Sequence, residues 1–248
     1  LETLISDEDF YNRYRIFAKD LFHTTAQHIG WIPKTGEGHL DALLRSTVLS
    51  QAGNYGDTAI LEEAKSLFKT YLDDPSSLHP DLRGLVYSLV AQSGDQSTYD
   101  QLWSLETTSE LQEEKIRLLI SLARFTNPNL LKDLLGRSLT EAVRSQDTIT
   151  LVSAVAANLQ GRNIAWEFVK DNWDEFDQRY GGGGFGLMRL VAITGSFTSL
   201  EKASEIEAFF KTHPTPAAER TIRQSLERIH INAAWLERNR SELADWFK

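Results

Sequence analysis

Five constellations in this sequence have residue types that could carry chemistry. The histidines come first: His23, His28, His39, His79, His213 and His230. A helical zinc site needs two histidines four apart, so that both face one metal, with a glutamate as base. No pair has that spacing, and His23 and His28, five apart, diverge by about 140° around a helix. Without cysteine the chain has no thiolate ligand, cysteine nucleophile or disulfide. Gly181–Gly186 reads GGGGFG and formally fits G-x-G-x-x-G. That fingerprint has meaning only between a strand and a helix, and here it follows the helical Trp173, Phe176 and Tyr180. It reads as a helix-to-helix turn. No G-x-S-x-G elbow presents a nucleophilic serine. The carboxylates Glu110, Glu113 and Glu114, and Glu201, Glu205 and Glu207, read as solvated helix faces.

Arginines remain. Arg124, Arg137, Arg144, Arg162 and Arg189 lie in or beside apolar stretches. A guanidinium on the inner face of a helical bowl is suited to gripping a carboxylate with two parallel hydrogen bonds. The competing role for each is an internal salt bridge. Trp166 and Trp173, seven apart on one helical face, read as core.

The elements that must position these groups are helical. Apolar residues recur every three or four positions through Phe10–Ile29, Leu40–Val48, Ile60–Tyr71, Leu82–Val90, Ile116–Leu122, Leu130–Leu135, Ile149–Leu159, Trp166–Phe176, Leu187–Ile193, Ile206–Phe210 and Ile222–Trp235. Leu102 and Trp103 mark a short helix, and Ala142 and Val143 a short piece. Ser6 and Asp7, Asp57, Ser109 with Gln112, Asp147 and Ser241 are candidate caps; Pro80 and Asn127–Pro128 stand where first turns begin. Gly30 and Pro33 stop the first long helix. Sustained alternation and hairpin turns are missing. The expectation is all-α: about a dozen helices with short connections, stacked as degenerate HEAT- or armadillo-like pairs into one superhelical, solenoid-like domain over residues 1–248.

Composition narrows the partners. Of 248 residues 41% are hydrophobic, which suits a globular fold. The formal net charge of −9 argues against a nucleic-acid backbone binder. The longest uncharged stretch, Thr148–Gly161, falls short of the roughly 18 apolar residues a membrane span needs. Leu1 opens the chain and Met188 is the single methionine, so an excised piece of a longer protein is expected.

Several long segments resemble one family. They are GWIPKTGEGHLDALLR (Gly30–Arg45), RSQD (Arg144–Asp147), AWEFVKDNWDEFDQRY (Ala165–Tyr180), FFKTHPTPAA (Phe209–Ala218) and ERTIRQSLERIHINAAWLER (Glu219–Arg238). Together they are similar to the C-terminal helical domain of M1 zinc aminopeptidases, in particular the puromycin-sensitive branch. The resemblance implies a non-catalytic domain that caps the active-site cavity, helps bind and orient the peptide tail, and gates access. It implies no cofactor in this chain, with Zn2+ held by the parent's catalytic domain, which carries the H-E-x-x-H motif absent here. The partners implied are that catalytic domain and a peptide substrate, and the location is cytoplasmic. By motif position, Arg124 in SLARF matches a site where some relatives place a basic group for the peptide's carboxyl end. Arg162 and Arg189 are substrate-binding candidates on the residue argument alone. A free-standing α-solenoid adaptor for a peptide or protein is the alternative, and a complete enzyme would need a constellation that this chain lacks.

Overall fold

In a computed structural model, residues 1–182 and 185–248 are described, and every regular element among them is helical. In chain order they are α1 (Glu2–Ile5), α2 (Tyr11–Ile29), α3 (His39–Asn54), α4 (Thr58–Asp73), α5 (Pro80–Gln92), α6 (Gln96–Thr108) and α7 (Gln112–Leu122). There follow α8 (Pro128–Ser138), α9 (Ser145–Ala157), α10 (Arg162–Asp171), α11 (Trp173–Tyr180), α12 (Gly186–Ala192), α13 (Leu200–Thr212) and α14 (Glu219–Trp246). Short 3-10 segments occupy Pro75–Ser77, Ile193–Ser196 and Pro216–Ala218.

The chain forms two compact units, Asn12–Leu130 and Leu1–Tyr11 with Leu131–Lys248. In the first, α3 packs on α4 and α5, α5 on α6 and α7, and α6 on α7. Alternate helices therefore meet, α3 with α5 and α5 with α7. Val48, Leu49, Phe68, Val86, Leu89, Leu118 and Leu122 are buried in this unit. Tyr87 Oη donates to Glu114 Oε1 at 2.7 Å across α5 and α7, and Glu114 also pairs with Arg117. Burial pushes the Tyr87 phenol up, and its hydrogen bonds with Tyr71 and Glu114 reinforce the shift. Glu114 is thus a buried acceptor and not a solvated helix face.

The GWIPKTGEGHLDALLR segment has a structural reason in the same unit. Gly30 ends α2 at φ 64°, a conformation that glycine adopts without a Cβ penalty. Arg45, 1% exposed, reaches back to that end. Its Nε donates to Gly30 O at 3.0 Å, and its Nη2 donates to Glu37 Oε2 at 2.6 Å. One buried guanidinium thereby closes the whole connection between α2 and α3.

The second unit is discontinuous because the chain's start packs on α14. Phe10 and Phe247 stack at 6.0 Å, and Arg240 Nε meets Glu8 Oε2 at 2.8 Å. Trp166 and Trp173 are core residues, edge-on to Phe209 at 5.3 and 5.5 Å. Glu205 accepts from Trp166 Nε1 at 3.0 Å, Lys170 Nζ at 2.6 Å and Lys202 Nζ at 2.7 Å, tying α10 to α13. It too is a structural acceptor, contrary to the solvated face expected for it.

Caps divide into those the side chains make and those they do not. Asp57 accepts from Ala59 N and Ile60 N and caps α4 as expected, and Pro80 opens α5. Asn127 Oδ1 accepts from Asn129 N at the start of α8. Ser6 instead ends α1, and Ser109 ends α6 while its Oγ turns to Leu111 O, so no capping box forms ahead of α7. Asp147 sits inside the first turn of α9 and binds Arg144 Nε at 2.8 Å. Ser241 lies within α14, which runs on uninterrupted to Trp246. Ala142 and Val143 form a turn, and the Leu102–Trp103 helix is a full α6. Of the Gly181–Gly186 run, Gly183 and Gly184 lie outside the described residues, while Gly181 ends α11 and Gly186 begins α12.

Candidate functional site

The second unit contains a cleft of about 670 Å3. Four elements build it. α9 supplies Ile149, Thr150, Ser153, Ala156 and Ala157; α12 with the following 3-10 segment supplies Arg189, Ala192, Ile193, Gly195 and Ser196; α14 supplies Arg228 and Asn232; α1 supplies Thr3 and Leu4. The spacing on α9 is that of one helical face, and Arg228 and Asn232 are one turn apart on α14. Asn232 Nδ2 donates to Gly195 O at 3.3 Å and Phe197 O at 3.1 Å, which fixes the 3-10 segment against α14. This accounts for an asparagine in the INAAW segment. The stem of Arg228 passes across Gly195, where an added Cβ would come 3.3 Å from Arg228 Cδ.

Of the five arginines singled out in the sequence, Arg137 pairs with Asp133 Oδ2 at 2.6 Å and Arg144 with Asp147 Oδ2 at 2.8 Å. Arg124, Arg162 and Arg189 have no ion pair among the described residues. Arg189 lines the cleft. Arg162 does not: it opens α10, is 6% exposed, and its buried Nε has no hydrogen-bond partner among the described residues. Burial pushes its pKa down, and the nearby charge of Asp7 works the other way. Arg124 is exposed in the turn after α7 and belongs to the other unit.

Sequence reasoning missed Arg228. It stands inside the ERTIRQSLERIHINAAWLER segment, four residues before Asn232, and that spacing alone put it on the same face. Neither Arg228 nor Arg189 has a carboxylate partner among the described residues, and no acidic residue lines the cleft. Among the described residues no three of His, Asp and Glu gather as metal ligands would.

The ERAP1-like C-terminal domain model matches residues 1–231. The chain belongs to that family. It is 36% identical over 243 residues to Aminopeptidase M1 of Arabidopsis thaliana, a match covering 96% of this chain and 27% of the relative. It is 36% identical to Aminopeptidase M1-A of Oryza sativa subsp. japonica over 91% of this chain and 26% of that protein. Glutamyl aminopeptidase of Sus scrofa is 32% identical over 97% of this chain and 26% of its own length. The chain therefore spans about a quarter of the curated relatives that it matches. Among the described residues no helix is long and apolar enough to cross a membrane.

Proposed function

We propose that residues 1–248 act as one helical, HEAT/armadillo-like solenoid domain of an M1 zinc aminopeptidase. In this reading it caps the catalytic domain of the same parent chain. The observation that carries the reading is the similarity of nearly the whole chain to about a quarter of each aminopeptidase. Surface chemistry supports it. Leu40 is 78% and Leu43 53% exposed on α3, next to an exposed Leu44, and Leu21 on α2 is also exposed. Periodicity assigned Leu21, Leu40, Leu43 and Leu44 to apolar helix faces, and a run of exposed leucines of this size is the mark of a surface that another body covers.

The domain's contribution is confinement and orientation. Enclosing a cavity keeps the substrate near the catalytic groups and limits entry by size. Movement of the cap between open and closed positions gates entry and release. Arg124, Arg162 and Arg189 are the groups offered to the carboxyl end of the peptide tail. In this reading Zn2+ is held by the parent's catalytic domain, and no catalytic step is assigned to the residues of this chain. The parent removes N-terminal residues from peptides in the cytoplasm.

The test is association. The 248-residue chain is mixed with the separately made catalytic portion and followed by sedimentation velocity, with aminopeptidase activity read on a short amide and on a long peptide. A complex is expected, with activity on the long peptide changed more than on the amide. Absence of any complex at about 100 μM would sink the cap reading and put the adaptor in its place.

A further inference from the structure

We propose that the groove between α13 and α14 is a binding site for a free amino acid with an apolar side chain, its ammonium on Glu219 and its carboxylate on Arg223. The groove has a volume of about 480 Å3, within the range of small-molecule sites. Phe210 on α13, Pro214 and Pro216 in the connection, and Ile222 and Leu226 on α14 give it an apolar lining. Its rim carries a glutamate and a cation at i and i+4 on each helix, and the two sets differ in one respect. On α13 the pair is closed: Lys211 Nζ meets Glu207 Oε1 at 3.3 Å. On α14 Glu219 and Arg223 stand one turn apart in the order that ordinarily pairs, yet neither has an ion pair among the described residues. Two open charges of opposite sign, one helical turn apart, are matched by a ligand that carries both. A simple cation would leave Arg223 unmatched, a simple anion would leave Glu219 unmatched, and an uncharged apolar molecule would use neither. A zwitterion with an apolar body answers both charges and the lining together.

The connection between the two helices holds the site in shape. Proline fixes φ at about −65°, and Pro214 and Pro216 flank Thr215, which is buried and donates its hydroxyl to His213 O at 2.9 Å. The 3-10 segment Pro216–Ala218 runs directly into α14 and so delivers Glu219 at the first position of that helix. Little ordering is left to be done when a ligand binds. The site demands an ammonium next to the carboxylate, which the carboxyl end of a peptide does not have. The assignment concerns binding by this chain alone and does not rest on the aminopeptidase reading.

Chemical-shift titration of the isotope-labelled 248-residue chain with L-leucine, N-acetyl-leucine, leucine amide and glycine tests it. Saturable one-site binding of leucine is expected, with shifts at Ile222 and Leu226 and a dissociation constant on the order of 1 mM, because both charges are exposed and screened by water. N-acetyl-leucine lacks the ammonium, leucine amide the carboxylate and glycine the apolar body, so each should bind about tenfold more weakly or worse. Glu219→Gln and Arg223→Gln should each weaken leucine about tenfold with the fold intact, since both side chains are exposed. Arg220→Gln removes a neighbouring exposed charge that does not line the groove, and it should leave the affinity at the wild-type value. N-acetyl-leucine, leucine amide or glycine binding as tightly as leucine would overturn the proposal. So would shifts confined to other helices, wild-type affinity in Glu219→Gln or Arg223→Gln, an equal loss in Arg220→Gln, or no saturation by leucine up to about 20 mM.

Discussion

Removing the charge of Glu205 should destabilise the second unit in a way that depends on pH. Burial pushes this carboxyl up, but hydrogen bonds from Lys170, Lys202 and Trp166 more than offset it and hold it at about 2 against an ordinary 4.5. At about 1.4 kcal/mol per unit the gap corresponds to roughly 3 kcal/mol for a fully shielded group. The side chain is 35% exposed, so solvent screening reduces this to roughly 1.5 kcal/mol. Glu205→Gln keeps an acceptor for Trp166 Nε1 and should lose about that amount, or a few degrees in Tm for a chain of this size. Glu205→Leu also orphans the indole N–H of a fully buried tryptophan, which costs a further ~1–3 kcal/mol. The sign with pH follows from the depressed pKa. The stabilisation is fully present above about pH 4.5 and fades as pH falls towards 2. Urea denaturation of wild type and Glu205→Gln at pH 7, 5, 4 and 3 measures the difference. A gap that is constant from pH 7 to 5 and narrower at pH 3 is expected. A gap of the same size at pH 3, or none at pH 7, would refute the reasoning, because the carboxylate would then not be the stabilising species.

Other consequences are as specific. Arg45→Ala should cost about 1–3 kcal/mol in urea unfolding, since it leaves the Ile29 and Gly30 carbonyls at the end of α2 without their buried donor; Arg45→Lys should recover only part, having no planar fork to span them. Asp57→Ala should cost ~1–2 kcal/mol by removing the α4 cap and the 2.6 Å contact with His23 Nδ1. Burial raises the Asp57 carboxyl, but the hydrogen bonds from His23 and Ile60 lower it below its ordinary 3.8, so the wild-type advantage over Asp57→Ala should shrink below about pH 4 in the same denaturation series. Leu43→Lys should change the chain's own stability by less than ~0.5 kcal/mol, as exposed substitutions do, yet weaken association with the catalytic portion at least tenfold in sedimentation; unchanged association would remove α3 from the covered surface.

The fold was legible because helical periodicity and local stop signals are written residue by residue. Gly30, Asp57, Pro80 and Asn127 act within one turn of their own position, and each does in the structure what its type dictates. Two of the failures were choices between two local partners. Ser109 had a helix behind it and one ahead, and it ended the first instead of capping the second. Asp147 had Arg144 three residues away and took the ion pair while Arg144 itself became the cap residue.

The candidate site was less legible because it depends on what is absent. An arginine is free for a ligand only if no carboxylate reaches it, and that is decided by packing. Arg137 and Arg144 have acids at helical spacing, Asp133 and Asp147, so their pairing was readable in the sequence. Arg189 has no acid three or four residues away on either side. Arg228 does have Glu227 as a neighbour, but adjacent helical residues diverge by about 100° and do not face one another. The same argument separates Glu205 from its neighbours. Glu201, Glu205 and Glu207 look alike on α13, and only the arrival of Trp166 and Lys170 from α10 turns the middle one into a half-buried structural acceptor. A ligand-binding arginine and a structural glutamate are therefore defined by long-range partners that one helix cannot reveal, whereas the helix that carries them can be read directly.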